Sequence, residues 1–206
     1  MKRGIPSAII VIAAALLVWT AWFWRPVTPE GDVHRVLPIA PQPVGGDFRL
    51  RSVDGPFDLA ELRGQVVLVY FGYTWCPDIC PTNLVVIARA LELLTPTERD
   101  RVQVLFITVD PQRDTAERLA EYVGWFHPDI IGLTGGEAEI AVVARRYGAA
   151  FRRYESSDSA MGYMVDHSAA SYLVDPEGHL ALTLAHATPA VDIAAAIRSL
   201  LPASGP

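Results

Sequence analysis

Apolar positions along this chain repeat with three different periods, and each predicts a different kind of element. The stretch from Ile5 to Trp24 is free of charge. As a helix, that run spans about 30 Å, the thickness of a bilayer core. It predicts a single membrane-crossing helix, with Lys2 and Arg3 on the cytoplasmic side and Trp19, Trp22 and Trp24 at the far interface. The run ends in bulky residues rather than a small-x-small cleavage site, and no cysteine follows it to take a lipid, so a retained anchor is expected over residues 1–25. Residues 26–44 are rich in Pro, Gly and Val without periodicity and read as a tether. Residues 45–206 are of a size for one domain.

Within that domain, Asp47 to Leu50 alternates as a short strand, and Asp54-Gly55 reads as a turn. The β-branched runs Gln65 to Phe71 and Val102 to Val109 suit central strands buried on both faces. Helical spacing follows over Pro81 to Leu94, with Leu84, Ile87, Ala88 and Leu91 on one face. A second helix is expected over Asp114 to Phe126, with Asp114 as N-cap and Glu117 three residues on. Ile130 to Leu133 is a short strand, and Glu137 to Tyr147 a helix. The period then changes. Ser171 to Val174 and His179 to Leu182 flank the turn Asp175-Pro176-Glu177-Gly178, predicting an antiparallel hairpin, and Pro189 to Leu200 closes as a helix. This order is that of an α/β, thioredoxin-like domain with a central mixed sheet flanked by helices, preceded by one transmembrane helix.

Composition narrows the function classes. The formal charge is −6 with no basic run, which argues against nucleic acid as a partner. The short anchor without a transit peptide looks bacterial. It places the domain in the periplasm, on the outer side of the inner (cell) membrane, where free thiols need protection, recycling or a metal.

The chain has only two cysteines, Cys76 and Cys80, separated by Pro77, Asp78 and Ile79 directly after the first buried strand. At the N-terminus of a helix, the dipole and free amides stabilise thiolate. Thiolates at i and i+4 share one helical face, where they can bind a soft ion such as Cu(I) or Zn(II) or close a disulfide. Spacing alone leaves both open. Three intervening residues, rather than the two of ordinary thiol–disulfide enzymes, leave room for an ion. Of the five histidines, His34 lies in the tether, His127 at a helix end, and His179 and His186 at and beyond the hairpin. His167, just before that hairpin, is the one a thioredoxin-like fold would bring beside the cysteines, although spacing does not single it out.

Four blocks resemble the Sco/SenC copper proteins. They are Tyr70-Phe71-Gly72-Tyr73-Thr74-Trp75-Cys76-Pro77-Asp78-Ile79-Cys80-Pro81, Thr108-Val109-Asp110-Pro111-Gln112-Arg113-Asp114-Thr115, Gly132-Leu133-Thr134-Gly135, and Tyr163-Met164-Val165-Asp166-His167-Ser168. The likeness covers about residues 45 to 200. It implies Cu(I) and Cu(II) held by Cys76, Cys80 and His167. It also implies a part in building the CuA centre of cytochrome c oxidase, as copper donor, thiol reductant or both. The implied partners are the oxidase subunit that bears CuA, a second periplasmic copper chaperone or thiol reductant, and the membrane. Gly162 departs from the acidic residue common before the tyrosine of the histidine block.

Other residues carry paired readings. Asp78 adds negative charge near a cation or is a turn residue. Asp166 orients His167 as an acceptor or ends a strand. Met161 and Met164 are thioether donors or gap fillers, the latter favoured. Trp75 shields the site or packs, and the segment Asp110 to Asp114 shapes a rim or is a strand-end turn. A chain that itself carried CuA would need His and Met where Leu84 and Ile87 stand, so that reading fails. The alternative of another class is a periplasmic thiol–disulfide oxidoreductase with Cys76 as nucleophile and Cys80 as resolver. It lacks the proline usual at the place of His167-Ser168. A peroxidase relative lacks the Thr-x-x-Cys pattern.

Overall fold

The computed structural model describes residues 12–19, 43–155 and 162–202. Two units are distinguished, Met1–Val36 and Leu37–Pro206. In the first, residues 12–19 form helix α1. Most of the expected anchor and tether lies outside the described residues, among which no helix is long and apolar enough to cross a membrane.

The second unit runs β1 (Arg49–Ser52), β2 (Gly55–Asp58), a 3-10 turn (Leu59–Leu62), β3 (Val66–Gly72), α2 (Ile79–Glu92), α3 (Pro96–Arg99), β4 (Val102–Thr108), α4 (Ala116–Gly124) and β5 (Ile130–Leu133). It continues with α5 (Glu137–Tyr147), β6 (Phe151–Glu155), β7 (Tyr163–His167), β8 (Ser171–Val174), β9 (Leu180–Leu184) and α6 (Ala190–Leu200). The central sheet has the order β5-β4-β3-β8-β9. Its first three strands are mutually parallel, and β8 and β9 each run antiparallel to the neighbour before them. The expected mixed α/β sheet is therefore present.

Strand alternation splits the core in two. Val67, Val69 and Phe71 of β3 join Leu105 and Ile107 of β4 on one face, packed on Ile140, Val143 and Tyr147 of α5. Val66, Leu68 and Tyr70 take the other face with Leu84, Ile87 and Leu91 of α2, Leu119 of α4 and Ile193 of α6. Every residue of β3 is buried, as expected for a parallel strand covered on both sides. Each large aliphatic side chain so buried contributes about 1.5–3 kcal/mol.

Two hairpins lie outside this sheet. β1 and β2 pair across a turn in which Gly55 adopts φ 118°, a conformation open to glycine. β6 and β7 pair with Phe151 opposite His167, a hairpin the sequence pattern did not predict. The hairpin of β8 and β9 turns at Asp175–Gly178 as expected, where the Asp175 side chain accepts from the His179 amide at 2.7 Å.

Two helix starts differ from expectation. α2 begins at Ile79 rather than Pro81, so Cys80 stands inside its first turn. α4 is capped by Thr115, whose hydroxyl accepts from the Arg118 amide, and not by Asp114. Asp114 is fully buried one residue earlier and is engaged elsewhere.

Candidate metal centre

β3 ends at Gly72, and the chain turns through Tyr73–Asp78 into α2. The turn is closed by the Cys76 amide donating to the Tyr73 carbonyl at 3.2 Å. Cys80 is fully buried against the sheet, whereas Cys76 is half-buried at its rim. A Cβ on Gly72 would stand 2.6 Å from the Cys80 sulfur and 2.7 Å from Phe106, so only glycine admits the thiol here.

Helix α2 lacks a conventional cap. Asp78 occupies the N-cap position, exposed and without a side-chain hydrogen bond to the helix. The free amide of Cys80 instead donates to the Cys76 sulfur at 3.5 Å. The Cys76 thiol is held down to about 3, first by the hydrogen bond from the Cys80 thiol, with the Cys80 and Asp78 amides adding to it. Burial, and then the neighbouring Cys76, push the Cys80 thiol well up. The reduced pair thus holds one thiolate at the rim and one protonated thiol behind it.

His167 ends β7 with Nε2 3.2 Å from the Cys80 sulfur. Its Nδ1 lies 3.0 Å from the Ser168 carbonyl, which can only accept, so Nδ1 carries a hydrogen, and in the neutral ring Nε2 then presents its lone pair to the sulfur. The edges of Tyr73 and Tyr70 confine the ring, with centroids 5.7 and 6.4 Å away. Burial pushes Tyr73 up to about 12, and Tyr70 is raised still further by the same cause, so both hydroxyls stay neutral beside the thiols. Among the described residues, Cys76, Cys80 and His167 form a cluster whose ligand atoms all lie within 4.8 Å of one another. Two sulfurs and one imidazole nitrogen are a soft donor set suited to Cu(I) or Zn(II).

Two buried carboxylates brace the segments that carry these side chains. Asp114 accepts from the Thr74 amide at 3.0 Å, the Thr74 hydroxyl at 2.6 Å and the Thr108 hydroxyl at 2.6 Å, fixing the loop before Trp75 and Cys76. Burial raises the pKa of its carboxyl. Asp110, also fully buried, is paired with Arg113 and accepts from the Tyr163 hydroxyl at 2.7 Å, holding the start of β7. The stretch expected as a rim or a turn therefore brackets both the cysteine loop and the histidine strand.

Several other readings change. Asp166 does not orient His167: it lies on the opposite face of β7 and pairs with Arg152 at 3.1 Å, and the Ser168 carbonyl does the orienting. Met164 shares that opposite face, its sulfur accepting from the Tyr154 hydroxyl at 3.6 Å. Met161 and His34 lie outside the described residues. Trp75 is exposed beside Cys76, with the Arg118 guanidinium 5.0 Å above its ring. His127 accepts from the Asp129 amide, and His179 is exposed beside Asp175. Gly72 stood inside a motif block without a role of its own, Asp114 was expected as a helix cap and as part of a rim or turn, and Asn83 was not singled out from the sequence.

Known proteins resemble this chain in sequence and in fold. The SCO1/SenC family profile matches residues 38–202. A SCO2-like protein of Rickettsia felis is 44% identical over 182 residues, covering 86% of this chain and 88% of its own. The copper-bound crystal structure of ScoI from Arabidopsis thaliana is 36% identical, with a TM-score of 0.68 over 76% of this chain and 97% of its own. Copper-bound yeast Sco1 is 34% identical, with a TM-score of 0.70 over 80% of this chain and 91% of its own. The chain belongs to the SCO1/SenC family.

Proposed function

We propose that this protein is a membrane-anchored copper metallochaperone that binds Cu(I) and Cu(II) through Cys76, Cys80 and His167 and serves the CuA site during cytochrome c oxidase assembly. The observation that carries the reading is the meeting of two sulfurs and a lone-pair-bearing Nε2 within 4.8 Å. Copper in two similar structures, of Arabidopsis ScoI and yeast Sco1, supports the choice of ion. Copper is cargo here: the chain's residues bind it, and the half-buried Cys76 at the rim is the ligand a recipient reaches first. In this reading residues 1–25 anchor the protein in the bacterial inner membrane, residues 26–44 tether it, and residues 45–206 work in the periplasm.

A second reading is favoured by the unequal thiols. A thiolate at the rim with a buried thiol behind it is the order of a nucleophile and its resolver. Cys76 would attack a disulfide of the oxidase subunit, forming a mixed disulfide and releasing one client thiol. Cys80 would then displace the second client thiol, leaving Cys76 and Cys80 joined and two electrons transferred. A periplasmic thiol reductant would restore the pair.

Copper titration of the reduced protein separates the two. Wild type should take one copper with sulfur-to-Cu(II) charge-transfer absorption, lost in C76A and C80A and strongly altered in H167A. H167A binding copper with wild-type affinity and spectrum would overturn the three-ligand site. Disulfide reduction that survives H167A unchanged supports the second reading. Copper retained after oxidation to the disulfide would exclude thiolate ligation.

A further inference from the structure

His167 is useful as a ligand only while Nε2 is free of hydrogen and faces Cys80, and the structure holds it so from two sides. The Ser168 carbonyl that takes the Nδ1 hydrogen belongs to the Ser168–Ala169 peptide. On one side of that peptide, the Ser168 amide donates to the Ala150 carbonyl at 2.8 Å, and the Ser168 hydroxyl accepts from the Ala150 amide at 2.9 Å. On the other side, the Ala169 carbonyl accepts from the side-chain amide of Asn83 at 3.0 Å. The Ser168–Ala169 peptide is trapped between two anchored neighbours.

Asn83 lies three residues beyond Cys80 on α2 and is only 7% exposed. Because the Ala169 carbonyl can only accept, the Asn83 amide nitrogen must face it, which turns Oδ1 the other way. There Oδ1 lies 3.0 Å from His186 Nδ1, in the loop after β9, so His186 must donate. Both ends of a buried amide are thereby satisfied, and a flip would set two donors and two acceptors against each other. Asn83 also joins the helix bearing Cys80 to the turn that orients His167.

We infer that Asn83, locked by the exposed His186, is a positioning residue that keeps the hydrogen of His167 on Nδ1 and its Nε2 facing Cys80. Without this tie, the carbonyl beside Nδ1 is held from the hairpin side alone. The ring then gains access to the Nε2–H form, which has no lone pair at the nitrogen that faces the Cys80 sulfur. The inference uses the reading of His167 as a ligand for its significance, but its geometry and its test stand without copper.

The experiment is two-bond nitrogen–proton correlation of the His167 ring in the full-length, reduced, metal-free protein at neutral pH. Wild type should show His167 as the Nδ1–H form. In N83L the Nε2–H form should become the major one. In H186L it should rise several-fold, and H186Q, whose amide can still donate to Asn83, should restore the wild-type pattern. His167 remaining Nδ1–H in folded N83L overturns the inference. A change in N83L with none in H186L overturns the part assigned to His186. If N83L does not fold, H186L decides alone, because His186 is on the surface. Failure here would leave the copper titration of H167A untouched, so the two readings fail separately.

Discussion

The backbone amide of Cys80 points at the sulfur of Cys76 across 3.5 Å, so one cysteine is the cap of the helix in which the other stands. An amide at a helix N-terminus and a thiol donor behind it both favour charge on Cys76, which explains a thiol held down to about 3. Cys80 has no access to solvent, and its pKa is shifted up. In the reduced, metal-free protein, iodoacetamide should therefore label Cys76 alone. Its rate should stay nearly flat from about pH 5 to 8, where an ordinary thiol of pKa about 8.5 slows roughly tenfold per unit. Mass mapping of the labelled cysteine against pH checks this. Labelling of Cys80 first, or a rate for Cys76 that falls with pH like a free thiol, would contradict the capped-thiolate arrangement.

Gly72 is the floor beneath Cys80. An added methyl would meet the sulfur at 2.6 Å and Phe106 at 2.7 Å, and neither has room to retreat inside a closed core. G72A should cost about 1–3 kcal/mol through overpacking. It should also push the Cys80 sulfur outward, weakening copper binding more than a remote substitution of equal cost. Denaturant unfolding with copper titration, set against V143A on the buried face of α5, separates the two effects.

What the sequence pattern made legible is what strong periodicity encodes. β3 and β4 are unbroken apolar runs, and Asp175-Pro176-Glu177-Gly178 has the chemistry of its turn, so both were plain from residues alone. The β6–β7 hairpin was not, because Phe151-Arg152-Arg153-Tyr154-Glu155 has no clean alternation and packs only partly against the core. Both thiols and His167 were named, but the supports were not. Asp114 fits a capping pattern with Glu117 that Thr115 in fact fulfils one residue later. Asn83 and Asp166 show why: a polar side chain takes its meaning from partners distant in sequence, the Ala169 carbonyl and His186 for one and Arg152 for the other.

Glu98 ties the short helix α3 to α6, accepting from Arg198 at 2.8 Å and from the Thr95 amide at 2.8 Å. Arg198 first, and then the Thr95 amide, hold its carboxyl down to about 2 from an ordinary 4.5. A carboxyl lowered by folding adds stability above its unfolded value, and loses it as pH falls through its folded value. The stability gap between wild type and E98Q should be constant above about pH 5 and close between 4.5 and 2. Unfolding midpoints of the two proteins across that range test it; a gap that persists unchanged at pH 2 would show that the carboxylate is not the source.

Asp114 makes the strongest case for support at a distance from the ligands. It is fully buried and receives three hydrogen bonds, two of them from Thr74, two residues before Cys76. Arg118 adds a fourth contact to the group, donating to the Thr74 hydroxyl at 3.0 Å from above Trp75. In D114N one carboxylate oxygen becomes an amide nitrogen, which would face a donor where an acceptor is needed. Leaving buried donors unmatched costs about 1–3 kcal/mol. The loop released is the one that presents Cys76, so D114N should lower stability and also loosen the Cys76 turn. Amide hydrogen exchange should rise several-fold at Thr74 and Cys76 while remaining at wild-type levels in β8 and α6. T108V, which removes one donor to Asp114 and the acceptor of the Asp110 amide but leaves Thr74 bound, should show little change at Cys76. Equal exchange changes in both variants would mean that Asp114 stabilises the sheet as a whole and not the thiol loop.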